Sequence, residues 1–439
     1  MKLLRLQWRA LSDYMKTVKF FTLGCKVNQY ETQVIREKFI RGGFKELSDT
    51  QPADIYVINT CTVTQTADSK SRYFIHHAHR QNPQAKIIVT GCYTELDSDE
   101  IARIPGIAHI VKNKEKYSIP ELLNEYNELN GHNELNGIGI SSFSGHTRAF
   151  LKIQDGCNNH CSYCKVPKVR GLSRSRPLDD IVREAESLVS NGFKEIVLCG
   201  ICLGSYGRDL PGSPDLVDVI ENLENIEGLL RIRLSSIEAG DISDRLIQKM
   251  AQSKKLCRHL HLPIQSGDDE ILKKMNRKYT RTGYLNLINR IKRSIPQVAI
   301  TTDVMVGFPG EDERHFQNTI DLIKGIMPLR THIFPYSKRE GTLAAINFKK
   351  KLDYKIIKER INYLKNIAAE CSLTFKKQFL NKVMDVLIET RLKDKSEFWD
   401  GHTGNYIKVL VKSNLNLKNK LIHLKLKKIV RDSLWAEFC

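Results

Sequence analysis

No run of about 18 uncharged apolar residues occurs in the 439-residue chain, so no transmembrane helix is expected. The longest apolar runs, such as Ile196-Val197-Leu198 and Val304-Met305-Val306, have the length of buried strands. No clear signal peptide is present: the basic, apolar stretch Met1–Arg9 is interrupted by Arg5 and Arg9, and no small-residue cleavage site follows. Acid is in short supply, with 50 Asp and Glu against 69 Lys and Arg. The net charge of +19 suits a polyanionic partner, or simply a lysine-rich composition. With 41% hydrophobic and 27% charged residues, collagen, long low-complexity disorder and a coiled-coil rod are excluded. Eleven cysteines, an odd number, without a secretory signal point to the cytoplasm, where clustered thiols bind metal or do redox chemistry.

The length predicts about three domains. Residues 16–124 read as an N-terminal parallel α/β domain. Its strands at Val18–Phe21, Ile55–Ile58 and Lys86–Val89 alternate with helices near Tyr30–Phe39 and Asp68–Gln81. Each strand ends near a cysteine, Cys25, Cys61 or Cys92, and ligands of parallel sheets lie beyond such ends. Met15 stands just before the first strand, which offers it as a start and residues 1–14 as a leader. Residues 125–142 carry an imperfect repeat, Asn127–Gly131 and Asn133–Gly137, and read as a linker. Residues 143–373 hold six strand candidates, from Ala149–Ile153 to Leu329–Phe334, with helices between them, which predicts a partial (β/α) barrel. Residues 374–439 read as a small β-barrel, with strands Val383–Glu389, Tyr406–Val411 and Leu421–Leu426 and a turn near Gly401 and Gly404. The fold class expected is α/β.

Just after the first barrel strand, Asp155-Gly156-Cys157-Asn158-Asn159-His160-Cys161-Ser162-Tyr163-Cys164 gives the spacing C-x3-C-x2-C. Three thiolates are one fewer than a closed tetrahedral zinc site needs. A cubane iron–sulfur cluster on three cysteines keeps one iron open for a substrate. This is the signature of the radical S-adenosylmethionine enzymes. The alternative is a zinc knuckle with His160 as fourth ligand, a poor geometry because His160 lies inside the loop. A further C-x2-C, Cys199 and Cys202, is either another metal site or two small residues under a barrel rim.

The chain resembles the methylthiotransferases, and within them the threonylcarbamoyladenosine tRNA branch, from about residue 16 to the C-terminus. The resemblance is carried by Leu23-Gly24-Cys25-Lys26-Val27-Asn28, Asn59-Thr60-Cys61-Thr62 and Thr90-Gly91-Cys92 in the first domain. It continues in Arg170-Gly171, Arg174-Ser175-Arg176, Leu203-Gly204-Ser205-Tyr206-Gly207, Arg233-Leu234-Ser235-Ser236, His261–Gly267 and Gly307-Phe308-Pro309-Gly310-Glu311. Gly401-His402-Thr403-Gly404-Asn405-Tyr406 is similar to the TRAM domain, an OB-like RNA-binding barrel. Lys165, Cys199 and Cys202 depart from the family pattern.

The resemblance implies two 4Fe-4S clusters, one on Cys157, Cys161 and Cys164 and an auxiliary one on Cys25, Cys61 and Cys92. It also implies S-adenosylmethionine as both methyl donor and radical source. Tyr163 and Gly307 are then expected near the adenine, and Gly200, Ser235 and Gln265 along the rest of the cofactor; each could instead be loop or barrel-end packing. The implied reaction puts a methylthio group on carbon 2 of N6-threonylcarbamoyladenosine at tRNA position 37. That hydrogen is not acidic, so a radical must remove it and a second centre must deliver sulfur. An anticodon loop is single-stranded, which makes extrusion of the base cheap. Arg170, Arg174 and Arg176, beside the cluster, are candidate phosphate contacts. Residues 372–439 carry fourteen Lys and Arg against seven Asp and Glu and are the candidate tRNA grip. A low-potential electron donor such as flavodoxin or ferredoxin and a sulfur source are further expected partners. The alternatives are isopentenyladenosine tRNA, an aspartate of ribosomal protein S12, or a zinc-bound RNA-binding protein without catalysis.

Overall fold

The computed structural model describes residues 15–48, 50–123, 139–348, 352–392 and 397–439. The leader 1–14 and most of the expected linker lie outside the described residues. The chain forms two compact units. The first runs up to Ser142 and takes in the segment Lys165–Leu172; the second comprises Phe143–Cys164 and Ser173–Cys439.

The first unit is a parallel five-stranded sheet of β1 (Thr17–Thr22), β2 (Lys45–Glu46), β3 (Ile55–Thr60), β4 (Lys86–Gly91) and β5 (Ile107–Ile110), in the order β2-β1-β3-β4-β5. Alternate side chains leave opposite faces of the pleat. Val18, Phe20, Ile55, Val57 and Ile88 pack with Ile35 and Phe39 of the helix Lys26–Arg41. Tyr56, Ile58, Ile87 and Val89 pack with Ile75 and Ala78 of the helix Gln65–Gln81. Both faces are covered, which is why these strands read as unbroken apolar runs.

In the second unit, β6 (Arg148–Lys152) leads into a short β7 (Gln154–Asp155), paired antiparallel with β8 (Arg174–Ser175). Then come β9 (Glu195–Cys199), β10 (Arg231–Leu234), β11 (His259–His261), β12 (Ala299–Val306) and β13 (Arg330–Pro335). The parallel sheets β6-β9-β10 and β11-β12-β13 are joined by a parallel bridge between Ser236 and His261. Six parallel strands with helices between them form the partial barrel.

The C-terminal strands β14 (Val383–Arg391), β15 (Phe398–Thr403), β16 (Lys408–Lys412), β17 (Leu421–Val430) and β18 (Ser433–Phe438) close into a barrel in the order β14-β15-β16-β18-β17. The turn expected near Gly401 and Gly404 falls at Gly404-Asn405, and Gly401 lies inside β15. A Cβ there would stand 2.3 Å from the Leu387 carbonyl oxygen, so the strand carries glycine because its neighbour is too close for a side chain. Gly401→Val keeps strand propensity and adds only bulk. It is expected to cost about 3 kcal/mol or more in urea unfolding; an unchanged midpoint would refute the close approach.

This small barrel caps the N-terminal rim of the partial barrel. Glu195, at the start of β9, is fully buried and accepts from Arg233 Nε at 2.6 Å, with Arg231 and Arg148 at 3.7 and 3.8 Å. Burial alone would raise its carboxyl, but Arg233, Arg148 and Arg231 hold it down at about 2. Arg231 donates to the carbonyls of His402 and Asp385 at 2.9 and 2.6 Å, and Arg233 to that of Gly404 at 3.1 Å. The Tyr406 ring lies 4.7 Å from the Arg233 guanidinium and 5.4 Å from that of Arg148. The opposite, C-terminal rim is left to the cysteine loop. Among the described residues no helix is long and apolar enough to cross a membrane.

Candidate functional site

The loop carrying Cys157, Cys161 and Cys164 is clamped from several sides. Gln154 donates to the carbonyls of Asp155 and Gly156, both at 2.8 Å, and accepts from the Cys202 N–H at 2.8 Å. Ser162 donates its N–H to the Met275 carbonyl at 3.0 Å and its hydroxyl to that of Lys274 at 2.7 Å. Asn276 donates to the His160 carbonyl at 2.7 Å, while the His160 side chain is exposed. Arg277 reaches the Cys161 sulfur at 3.4 Å and is ion-paired with Glu238, whose carboxyl burial pushes up against the pull of Arg277. A cavity of about 390 Å³ opens here, lined by Cys161, Cys202, Ser205, Glu238, Asp241 and Arg277.

The other expected cofactor residues sit at successive C-terminal strand ends. Gly200 follows β9, and a Cβ on it would come within 2.8 Å of Gln154 Oε1. Ser235 follows β10, and Gln265 lies just beyond β11. Ser235 is 7% exposed and Gln265 8%, and neither Ser235 Oγ nor Gln265 Oε1 has a hydrogen-bond partner among the described residues. Buried polar atoms without a partner are rare and costly. The Tyr163 ring is 6.5 Å from that of Phe308, edge to face. Gly307 follows β12, but its N–H already donates to Glu311 Oε1 at 3.1 Å, and Ile357 fills the space where a Cβ would go.

In the first unit, Cys25 caps the N-terminus of the helix Lys26–Arg41, Cys61 follows β3, and Cys92 opens the 3-10 turn after β4. Burial pushes the Cys61 thiol up to about 11, and Cys92 and Cys25 are close enough to add to that rise. The sequence ends three strands on cysteines, and the parallel sheet brings those ends to one edge.

Arg170, expected from sequence to meet RNA phosphate, is buried here instead. Its fork grips both Glu31 oxygens, at 2.6 and 3.1 Å, and also bonds Asn28, while its Nε lies 3.3 Å from Cys92 Sγ. Lys116 completes the group at 2.5 Å from Glu31, and these side chains are at most 2% exposed. A guanidinium only 2% exposed and committed to a buried carboxylate is closed to phosphate. Arg176 is likewise turned inward, onto the Lys152 carbonyl at 2.8 Å and Glu184 at 2.5 Å. Arg174 is exposed.

Two family models match the chain, the radical SAM superfamily over residues 151–323 and the uncharacterized protein family UPF0004 over residues 17–112. The chain is 40% identical to the threonylcarbamoyladenosine tRNA methylthiotransferase MtaB of Bacillus subtilis, over 94% of each chain. It is 37% identical to the protein of the same name from Chlamydia pneumoniae, over 97% of this chain and 99% of that one. The chain belongs to the methylthiotransferase family. It is also 34% identical to the tRNA-2-methylthio-N(6)-dimethylallyladenosine synthase of Carboxydothermus hydrogenoformans, over 94% of this chain and 96% of that one. The radical S-adenosylmethionine methyltransferase TsrM from Kitasatospora setae shares the fold, with a TM-score of 0.54 at 14% identity over 76% of this chain and 77% of that one.

This methylthiotransferase uses S-adenosylmethionine and two 4Fe-4S clusters, and the donor atoms present fit them. Each thiol trio is one donor short of closing a cubane, and among the described residues no group of His, Cys, Asp and Glu is gathered tightly enough for a single metal ion. The orphaned Ser235 and Gln265 oxygens suit a polar cofactor lying across the strand ends. Ser235→Ala and Gln265→Ala are therefore expected to leave the melting temperature unchanged, because no partner in the chain is lost. Each should weaken S-adenosylmethionine binding about tenfold by equilibrium dialysis, as a hydrogen bond of about 1.4 kcal/mol requires. Unaltered affinity in both would remove these residues from the site. Sequence reasoning missed Gln154, Glu238, Asp241, Asn276 and Arg277; each stands singly, on a short strand, a 3-10 turn or a loop, with no spacing to betray it.

Proposed function

We propose that this chain transfers a methylthio group to carbon 2 of N6-threonylcarbamoyladenosine at position 37 of tRNA. The observation that carries the reading is the pair of separate thiol trios, one at three strand ends of the first unit and one on the loop that follows β7. Cys157, Cys161 and Cys164 hold the radical cluster, and Cys25, Cys61 and Cys92 the auxiliary one. When bound, these groups and S-adenosylmethionine supply a carbon-centred radical, a methyl group and the sulfur to be transferred.

The chain's own residues bind, orient and exclude water. Gln154 fixes the cysteine loop against the Gly200–Cys202 turn, so the three thiols that would hold the radical cluster are presented from a rigid loop. Ser235 and Gln265 hold polar atoms of S-adenosylmethionine, and the Tyr163 ring flanks its adenine. The Glu238–Arg277 pair walls the cavity without leaving an unpaired charge beside a radical. Arg170 donates to Cys92 and holds the auxiliary trio in place. On the RNA side, Arg174 and the lysine-rich C-terminal barrel take the phosphates. A low-potential donor such as flavodoxin or ferredoxin and a separate sulfur source complete the reaction, which we place in the cytoplasm.

Mass spectrometry of tRNA nucleosides from a deletion strain tests this. Loss of the 2-methylthio form with build-up of threonylcarbamoyladenosine supports it. Accumulation of isopentenyladenosine would move the substrate to the one for which the dimethylallyladenosine synthases among its relatives are named. An unchanged profile would redirect the search to a protein substrate.

A further inference from the structure

One face of the helix Gln65–Gln81 has no role in the reading above. Lys70, Tyr73, His77 and Arg80 follow one another at intervals of three and four residues, so they share one side of that helix. Tyr73 is 56% exposed, and Lys70 and Arg80 are exposed on either side of it. The Tyr73 ring lies parallel to that of His77, with centroids 5.8 Å apart and planes at 8°, and meets Phe74 edge-on at 5.4 Å. Phe74 packs in turn on Phe21 of β1 at 4.9 Å. The tyrosine is thus braced by other rings while more than half of it meets solvent. The one acidic residue of the helix, Asp68, is buried and accepts from the Thr62 hydroxyl at 2.7 Å. Among the described residues neither Lys70 nor Arg80 is ion-paired. The helix starts beside the auxiliary trio: Thr64 caps it just after Cys61, and Ser71 donates to the Cys61 carbonyl at 3.2 Å. At 1.5 Å per residue, Tyr73 stands about 13 Å along the axis from that cap.

A stable protein interface takes about 800 Å² from each partner, around an apolar centre. A single exposed ring between two cations offers too little for that. It suits a single-stranded polyanion, whose unstacked bases have free π-faces and whose phosphates recur along the strand. We propose that this face binds single-stranded RNA of the anticodon loop, with a base stacked on Tyr73 and phosphates on Lys70 and Arg80. The proposal rests on the tRNA reading above and adds to it a contact surface on the first unit. Every base has a π-face, so the contact holds the strand without selecting its sequence. A loop held here keeps a nearby nucleotide at the edge where Cys61 follows its strand.

Fluorescence anisotropy tests this, with a labelled anticodon stem-loop carrying threonylcarbamoyladenosine and the anaerobically reconstituted full chain. Tyr73→Leu keeps apolar bulk on Phe74 but has no π-face, and it should weaken binding about tenfold. Tyr73→Trp should bind as wild type does. Changing Lys70 and Arg80 together to Ala should lower the slope of log affinity against log salt by about 1.4, as the loss of two phosphate contacts on a single strand requires. An RNA duplex of equal length, its bases already stacked, should not distinguish Tyr73→Leu from wild type. These side chains are exposed, so the melting temperatures should match wild type, which makes lost binding a lost contact. Wild-type affinity in Tyr73→Leu together with a wild-type salt slope in the double-alanine chain would overturn the proposal and leave the tRNA reading standing. A wild-type chain that does not bind the stem-loop would overturn that reading, and the proposal with it.

Discussion

Replacing Cys25, Cys61 and Cys92 together by Ala is expected to abolish methylthio transfer while cleavage of S-adenosylmethionine continues. The two trios are separate in the fold: one ends three strands of the first unit, and the other lies on a single loop of the second. Removing one set takes no donor from the other. 5′-Deoxyadenosine, followed by chromatography with dithionite as reductant, should still form, and 2-methylthio nucleosides in the tRNA should fall below detection. Iron per chain should drop by about half. The complementary Cys157→Ala, Cys161→Ala, Cys164→Ala chain should lose both products. Methylthio transfer that survives loss of the first trio would end the two-cluster account.

Arg170→Ala should be the most damaging single change in the first unit. It takes the guanidinium from the Glu31 carboxylate, which keeps Lys116 beside it, and removes a donor from Asn28 Oδ1, in a site where the side chains of Arg170 and Glu31 are 2% and 1% exposed. Breaking a buried pair by removing one partner costs about 3–5 kcal/mol. Urea unfolding should show that loss, and iron analysis should show the auxiliary cluster depleted before the radical one. Arg170→Lys keeps the charge but has no planar fork, so it should fall between wild type and alanine. An alanine variant with wild-type stability and full iron would place Arg170 outside the site.

The two residues most misjudged from sequence show why some features are legible there and others are not. Strands such as Ile55–Thr60 announce themselves because burial on both faces demands consecutive apolar residues, a local signature. Trio one was readable for a related reason, since every strand of a parallel sheet delivers its end to the same edge. Arg170 reads as a phosphate contact because its neighbours Lys168, Arg174 and Arg176 are also basic, while its partner in the fold, Glu31, is 139 positions away. In β15, Gly401 reads like part of the turn near Gly404; only the carbonyl of a neighbouring strand reveals why glycine is needed. Periodicity reports what an element buries and is silent about which remote side chain it meets.

The segment Lys165–Leu172 has a consequence for how the protein is made and altered. It completes the first unit, although Cys164 before it and Ser173 after it belong to the second. A nascent chain that has emerged as far as Ser142 therefore still lacks the guanidinium that neutralises Glu31, and the Val169 carbonyl that accepts from Asn113 at 2.8 Å. The N-terminal portion is thus not a cassette that a gene fusion could lift out intact. Folding of that portion must await translation of a stretch embedded in its neighbour, which ties the making of one unit to that of the other.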